Sequence, residues 1–545
     1  MTRARAPWLA ALVALLASLP GLFTLPPTDR DESRFAEASA QMLESRDLTN
    51  IMFQDVPRYK KPIGVYWLQA ASVATLSGVE LRQIWAYRIP SVLGAMLAAA
   101  ACAWGALAFL GPVEAAAAGA LLAATTVLST EANLATTDAA LCGTVTLALA
   151  AMGKIYVAAR GGPAVGRWPA LLFWIGLAGS VLLKGPIGPM VTGLTGLALI
   201  VWDRRAGWLA GLGWGWGIII FCGMVLPWAL AITVATDGAF WGVAVGGDLA
   251  PKLLGGQEGH GAPPGYFVVL SPVLLFPAAV LLPAALLAGW RARAEPGIRF
   301  ALCWLAPSWL VFELAPTKLP HYTLPCFGAL AWLMAAALTR PMGPRVRWIG
   351  AALTAAVAAG LVVAGAVAAA EFGDAASWAW AALVAVLMAA AAICAVVCMA
   401  RARPARAALL ACAVGLAGHA ALVGGLAPSL QGLWLSQRLA RAVRADRQML
   451  AAGPAAVAGY AEPSLVFALG APTVLGSAAD AAEAVAFGRP AIVEQKQDAA
   501  FRAAVATGPT SAHVAATITG LDYSTGHRQV LRLYEPVAAA PGPRS

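Results

Sequence analysis

The sequence predicts an α-helical polytopic membrane protein with a small C-terminal α/β domain, and three observations lead there. Hydrophobic residues make up 60% of the 545 residues and charged residues 12%, with a mean hydropathy of +0.73, whereas soluble domains carry about 25% charged residues. Apolar segments of the length that crosses a bilayer recur along most of the chain. Beyond about residue 428 the apolar segments stop, and short helical and strand-like patterns replace them. The formal net charge of +10 does not indicate nucleic acid, because Lys and Arg fall in short clusters between apolar segments rather than along one stripe. The eight cysteines lie within or beside apolar segments and write neither a disulfide framework nor a zinc site.

The first segment, "MTRARAPWLAALVALLASLPGLF", has a basic start and an apolar core but no clear small-residue cleavage site, and is read as a membrane helix that stays attached. Thirteen spans are expected, near 7–25, 84–110, 113–130, 134–159, 168–183, 187–202, 208–234, 266–290, 298–315, 321–338, 347–371, 376–400 and 406–427. With Arg3 and Arg5 on the cytoplasmic side, the alternate loops hold Arg160 and Arg167, Arg204 and Arg205, Arg291 and Arg293, Arg340 and Arg345, and Arg401 and Arg403. All then lie inside, as the positive-inside rule requires. The loops 26–83 and 235–265 fall outside, as does the tail after the odd number of spans. Two units follow: 1–428, a membrane domain that includes both outer loops, and 429–545, a soluble α/β domain. In the tail, "LWLSQRLARAVRADRQMLA" has helical spacing, and "AAVAGY", "RPAIVEQ" and "RQVLRLYEPV" are strand-like. His513 and His527 are lone surface candidates there.

Charge that topology does not explain collects on the outer face. In "PPTDRDESRFAEASAQMLES", Asp31, Arg34 and Ala38 stand a helical turn apart, so a carboxylate and a guanidinium share one face, with Glu32 beside them. Arg58, Lys60 and Lys61 precede the interfacial run Tyr66-Trp67-Leu68. Glu131 and Asp138 mark the outer end of one span, Lys184 lies between two others, and "PTKLPHYTLP" supplies Lys318, His321 and Tyr322. Ionisable groups at membrane depth are costly and mark function by default, although each lysine taken singly reads as snorkelling to the interface. Together, Lys and Arg suit a lipid phosphate, and a carboxylate among them suits orienting or deprotonating a hydroxyl.

Seven stretches, "DESRFAEASAQMLESRDL", "VPRYKKPIGVYWLQ", "EANLATTDAAL", "LLKGPIGP", "VLPWALAI", "GHGAPPGYF" and "TKLPHYTLPCFGALAWLMA", resemble in order the motifs of the bacterial lipid A aminoarabinose transferases and their relatives. These are polyprenyl-phosphate-sugar-dependent glycosyltransferases of the type C fold, more distantly related to protein O-mannosyltransferases. The resemblance implies that Asp31 and Asp138 are the acidic residues of the reaction centre. It implies that Arg34, Lys61, Lys184 and Tyr322 meet the donor phosphate, and it matches His260 to a histidine before "AP". Glu32, Arg58, Lys60, Glu131, Lys318 and His321 are further candidates for substrate contact. In those transferases a glutamate linked to a metal precedes the lysine matched by Lys61, and an arginine follows the histidine. Here Lys60 and Gly261 stand instead, so the resemblance assigns no certain cofactor and leaves a divalent metal and the sugar open.

The implied activity is transfer of a sugar from a polyprenyl phosphate, undecaprenyl phosphate in bacteria, to lipid A or another envelope acceptor at the periplasmic face of the inner membrane. A protein O-glycosyltransferase of the same fold is the alternative within this chemistry. A transporter or flippase would place its charge near the midplane between repeated halves, and no internal repeat is present in the sequence.

Overall fold

The computed structural model describes residues 1–254 and 261–537. Among these, nine helices are long and apolar enough to cross a membrane, or ten if one bent pair counts as a single span. The protein is a multi-pass membrane protein. The expected spans at 113–130, 168–183 and 187–202 contain the shorter helices Pro112–Ala123, Trp168–Lys184 and Ile187–Asp203. The first of these breaks near Thr125 because Thr126 leaves the helix to bond Phe276, its amide and its hydroxyl both donating to that carbonyl at 2.8 Å. The span expected over 266–290 is bent by 115° between Tyr266–Leu274 and Ala278–Arg291. Pro277 lies in the break and has no amide hydrogen to continue the ladder.

Small residues let the helices that carry the site approach closely. A Cβ on Gly94 of the helix Ile84–Ala106 would stand 2.4 Å from the Cα of Ala140, and one on Gly143 would stand 2.5 Å from the carbonyl oxygen of Gly94. This crossing seats the helix Asp138–Ala158, and therefore Asp138, against its neighbour. At the opposite end of the bundle, Asp203 binds Arg160 and Arg299, each at 2.5 Å, and Tyr156 at 2.7 Å, tying together three helices where the basic clusters gather.

The outer loop 26–83 folds around the helix Asp31–Ser45, whose Phe35, Ala38 and Met42 pack on Ile51, Ile63 and Tyr66. The C-terminal unit is a five-stranded sheet in the order Val474–Gly476, Ala456–Ala458, Ala491–Glu494, His527–Val537, Ser511–Asp522. The first three strands are parallel and the last two antiparallel. The sequence marked three of these strands. Val474–Gly476 is too short for a periodic signal, and Ser511–Asp522, with Val514, Ile518 and Leu521 among small and polar residues, lacks a sustained alternation. The helical stretch after residue 433 divides into Leu435–Ala445 and Arg447–Ala451, because Asp446 is extended and caps the second helix by accepting from the amides of Gln448 and Met449. Gln54 donates to the carbonyls of Ala471 at 3.0 Å and Thr473 at 2.6 Å, so the sheet unit rests on the outer loop at one end of the bundle.

Candidate active site

The position of the site follows from one buried arginine. Arg88, 0% exposed in the helix Ile84–Ala106, donates to both oxygens of Glu32, at 2.7 and 3.1 Å, and to the carbonyls of Leu25 at 2.7 Å and Pro26 at 3.0 Å. Glu32 accepts in addition from the amides of Thr28 and Ala135, each at 2.8 Å. The end of the first span, the start of the outer helix and the turn before Asp138 thus meet at one ion pair, which brings Asp31 and Asp138 to the wall of one cavity. Arg88 was not recognised in the sequence; its signal is a lone ionisable residue inside an apolar span.

Asp138 is held on two sides. One carboxylate oxygen takes the Lys184 ammonium at 2.5 Å, and the other faces Nε2 of His321 at 3.7 Å. Nδ1 of His321 lies 3.1 Å from Glu131, whose second oxygen accepts from Thr136 at 3.1 Å. The Lys184 ammonium sits 5.2 Å from the centroid of the Tyr322 ring. Lys61 binds Asp248 at 2.8 Å, and Lys252 takes the other oxygen of Asp248 at 2.6 Å. Burial holds the Lys61 amine down at about 8, against the opposing pull of Asp248. Arg58 stacks over Phe35 at 4.8 Å and lies 3.6 Å from Asp31, whose side chain is 67% exposed toward the cavity.

Two cavities meet along these groups. One, of about 200 Å³, is walled mainly by apolar side chains such as Ile187, Met190, Phe240, Val245, Val311 and Phe312. The other, of about 300 Å³, is polar and includes Asp31, Arg34, Arg58, Glu131 and His321. Lys60, Lys61, Asp138, Lys184, Asp248, Lys252 and Tyr322 line both.

Most of the residues picked out in the sequence therefore come together. Glu32 reaches the polar cavity's wall, but its carboxylate is wholly engaged in the framework. Lys318 lines neither cavity; it is buried and donates to the carbonyl of Ala315 at 2.5 Å. His260 lies outside the described residues. Asp248 and Lys252 were missed. They are the charged residues of "GGDLAPK" within the long outer loop, where no spacing links them to Lys61.

A metal at the position of Lys60 does not fit, because an ammonium stands where a carboxylate ligand is required. One ligand atom each of Glu131, Asp138 and His321 lies within 4.8 Å of the others, a donor set suited to a divalent cation. The same groups also satisfy one another, with the His321 ring lying between the two carboxylates.

The backbone decides the fold. Over 98% of this chain and 99% of the other, it superposes with a TM-score of 0.77 and 21% identity on the crystal structure of ArnT from Cupriavidus metallidurans bound to undecaprenyl phosphate. The fold is that of ArnT. The archaeal oligosaccharyltransferase AglB from Archaeoglobus fulgidus shares it more loosely, with a TM-score of 0.50 and 12% identity over 91% of this chain and 70% of that one. Residues 11–241 match the family model of dolichyl-phosphate-mannose-protein mannosyltransferases. Curated relatives include proteins named undecaprenyl phosphate-alpha-4-amino-4-deoxy-L-arabinose arabinosyl transferase. The one from Pseudomonas paraeruginosa (strain DSM 24068 / PA7) is 28% identical over 351 residues, 62% of this chain and 60% of its own length. The one from Yersinia pestis (strain Pestoides F) is 30% identical over 349 residues, 61% of this chain and 59% of its own length. The aligned part thus spans about 60% of those relatives. The resemblance read from the seven motifs holds at the level of sequence and of the ArnT fold.

Proposed function

We propose that this protein is a glycosyltransferase of the bacterial inner membrane. It takes a sugar from a polyprenyl phosphate, undecaprenyl phosphate by the names of its relatives, and passes it to lipid A or another envelope acceptor at the periplasmic face. The junction of the two cavities carries this reading: an apolar wall suits a polyprenyl chain, the polar side suits a sugar and an acceptor, and lysines stand between them. Residues 1–428 form the membrane enzyme in this scheme, and 429–545 a periplasmic domain seated on it.

The leaving group is a phosphate anion near neutral pH, so it requires electrostatic stabilisation more than a proton. Arg34, Lys61, Lys184 and Tyr322 supply it in a partly dry site, where such contacts strengthen. Asp31 orients or deprotonates an acceptor hydroxyl; Asp138, paired with Lys184 and facing His321, supports the phosphate site. Attack opposite the leaving phosphate inverts the anomeric carbon. Transfer from labelled undecaprenyl-phosphate sugar by the purified protein, with mass spectrometry of lipid A, glycans and glycoproteins from a deletion strain, tests the reading. An unchanged envelope together with no transfer in vitro rejects it.

Lys61→Ala is expected to weaken binding of undecaprenyl phosphate by about ten- to a hundredfold, the range for hydrogen bonds to charged groups, while the protein folds and inserts normally. Because burial holds the Lys61 amine at about 8, it loses charge as pH rises through that value. Donor affinity should therefore fall between about pH 7 and about pH 9, and Lys61→Arg, charged throughout, should flatten the curve. Unchanged affinity in Lys61→Ala assigns the lysine to snorkelling instead.

Orientation has its own test. Alkaline phosphatase fused after Ala440 is expected to be active, because the basic loops and the expected odd number of spans put the tail outside. An inactive fusion at normal expression inverts the map and moves the site to the cytoplasmic face.

A further inference from the structure

The helix that presents Asp31 does not begin with a side-chain cap. The residue before it, Arg30, has φ +62°, in the left-handed region that residues other than glycine avoid, and no side chain caps the helix. Such a conformation persists only where the surroundings over-determine it. Here those surroundings come from the far end of the chain. The amide of Asp29 donates to the Tyr523 hydroxyl oxygen at 2.7 Å, and the Arg30 guanidinium donates to the carbonyl of Ser524 at 2.8 Å.

Tyr523 and Ser524 belong to the turn between the last two strands, Ser511–Asp522 and His527–Val537. This turn is rigid in itself. Asp522 accepts from the amide of Ser524 at 3.0 Å, from its hydroxyl at 2.7 Å and from the amide of Thr525 at 3.3 Å. Glu462 also binds the Ser524 hydroxyl, and Gly526 closes the loop with φ +76°. A preformed, internally bonded turn therefore grips the two residues directly before Asp31.

Resting on the reading that Asp31 acts in sugar transfer, we propose that this turn is a positioning element of the transfer site, in which Tyr523 and the Ser524 carbonyl set the backbone at residues 29 and 30 and so aim Asp31 into the polar cavity. This gives the C-terminal unit a part in the reaction without contact to the reacting atoms. Of the groups assigned to the donor phosphate, Lys61, Lys184 and Tyr322 are presented by other segments, and among the described residues no hydrogen bond of the turn reaches them; only Arg34 shares the Asp31 helix, its amide donating to the Arg30 carbonyl at 2.9 Å. The turn should therefore act chiefly on turnover and touch donor binding only through Arg34, one of four phosphate groups.

The test uses full-length protein in membranes. Tyr523→Phe removes one hydroxyl from a side chain that is itself 37% exposed. Arg30→Gly removes the guanidinium while suiting the backbone angle, and Arg30→Lys restores a donor. Expected for Tyr523→Phe and Arg30→Gly is a fall in kcat of at least about tenfold, since misplacement by about 1 Å costs up to about a hundredfold. Affinity for undecaprenyl phosphate should fall far less than kcat, and the thermal midpoint should stay at the wild-type value, with Arg30→Lys recovering most of the rate. Wild-type kcat in both variants overturns the proposal. So does a loss of donor affinity or thermal stability that parallels the loss of rate, because that describes a structural contact only. Asp31→Asn, assayed alongside, separates the two levels: if it turns over normally, the catalytic reading of Asp31 fails and the positioning role fails with it. If it is inactive while the turn variants are normal, only the positioning role is lost.

Discussion

Replacing Asp31 with Asn is expected to slow sugar transfer by about two to four orders of magnitude, the range assigned to positioned general bases. Six carboxylates line the polar cavity, Asp29, Asp31, Glu32, Glu131, Asp138 and Asp248, and their surroundings separate them. Glu32 is saturated by Arg88 and two backbone amides. Asp138 is taken by Lys184 and His321, and Glu131 by His321 and Thr136. Asp248 is held by Lys61 and Lys252 and Asp29 is half-buried, so Asp31 alone of the six is largely exposed toward the cavity, with Arg58 at 3.6 Å as a loose partner. It is therefore the carboxylate with room to accept a hydroxyl proton. Asn preserves the shape and removes the charge, so the loss should appear in kcat, measured with labelled polyprenyl-phosphate sugar at equal membrane levels. A wild-type rate would return residues 29–37 to the status of a solvated loop.

Arg88→Leu is expected to cost about 3–5 kcal/mol of stability, because it leaves the Glu32 carboxylate buried without its counter-charge. Both partners are essentially inaccessible, 0% and 1% exposed. Arg88 also binds the carbonyls of Leu25 and Pro26, so two adjacent carbonyls lose their donor at once. The loss should register as reduced membrane abundance and a lower melting midpoint in detergent. The double variant Arg88→Leu/Glu32→Leu should recover part of it, since removing both charges abolishes the desolvation penalty that the single variant exposes. A double variant no more stable than the single would move the cost to the lost carbonyl contacts.

The first large effect was legible from the sequence and the second was not. Asp31 stands in a motif whose spacing places it on one helix face with Arg34. Arg88 sits alone in an apolar run, and nothing local distinguishes a framework ion pair from a site residue. Lys318 illustrates the same ambiguity in reverse: its place in "TKLPHY" suggested substrate contact, yet its ammonium turns back onto the Ala315 carbonyl.

By itself the sequence determined the membrane class, ten of the thirteen expected spans if the bent pair counts as one, and the gathering of ionisable groups at one end of the bundle. These are properties that a bilayer tests segment by segment, through hydropathy and the placement of Lys and Arg. It also carried the motif order that led to the ArnT fold. Only the tertiary structure decided which charges are spent on one another and which face the cavities. It also decided where the apolar segments break, that Asp248 and Lys252 join Lys61, and that the last turn of the chain grips the start of the Asp31 helix. The deciding contacts join residues 56, 187 and 494 positions apart. Helical and strand periodicities report only which face of a local element is buried, so partners at such separations become visible only when packing brings them within reach.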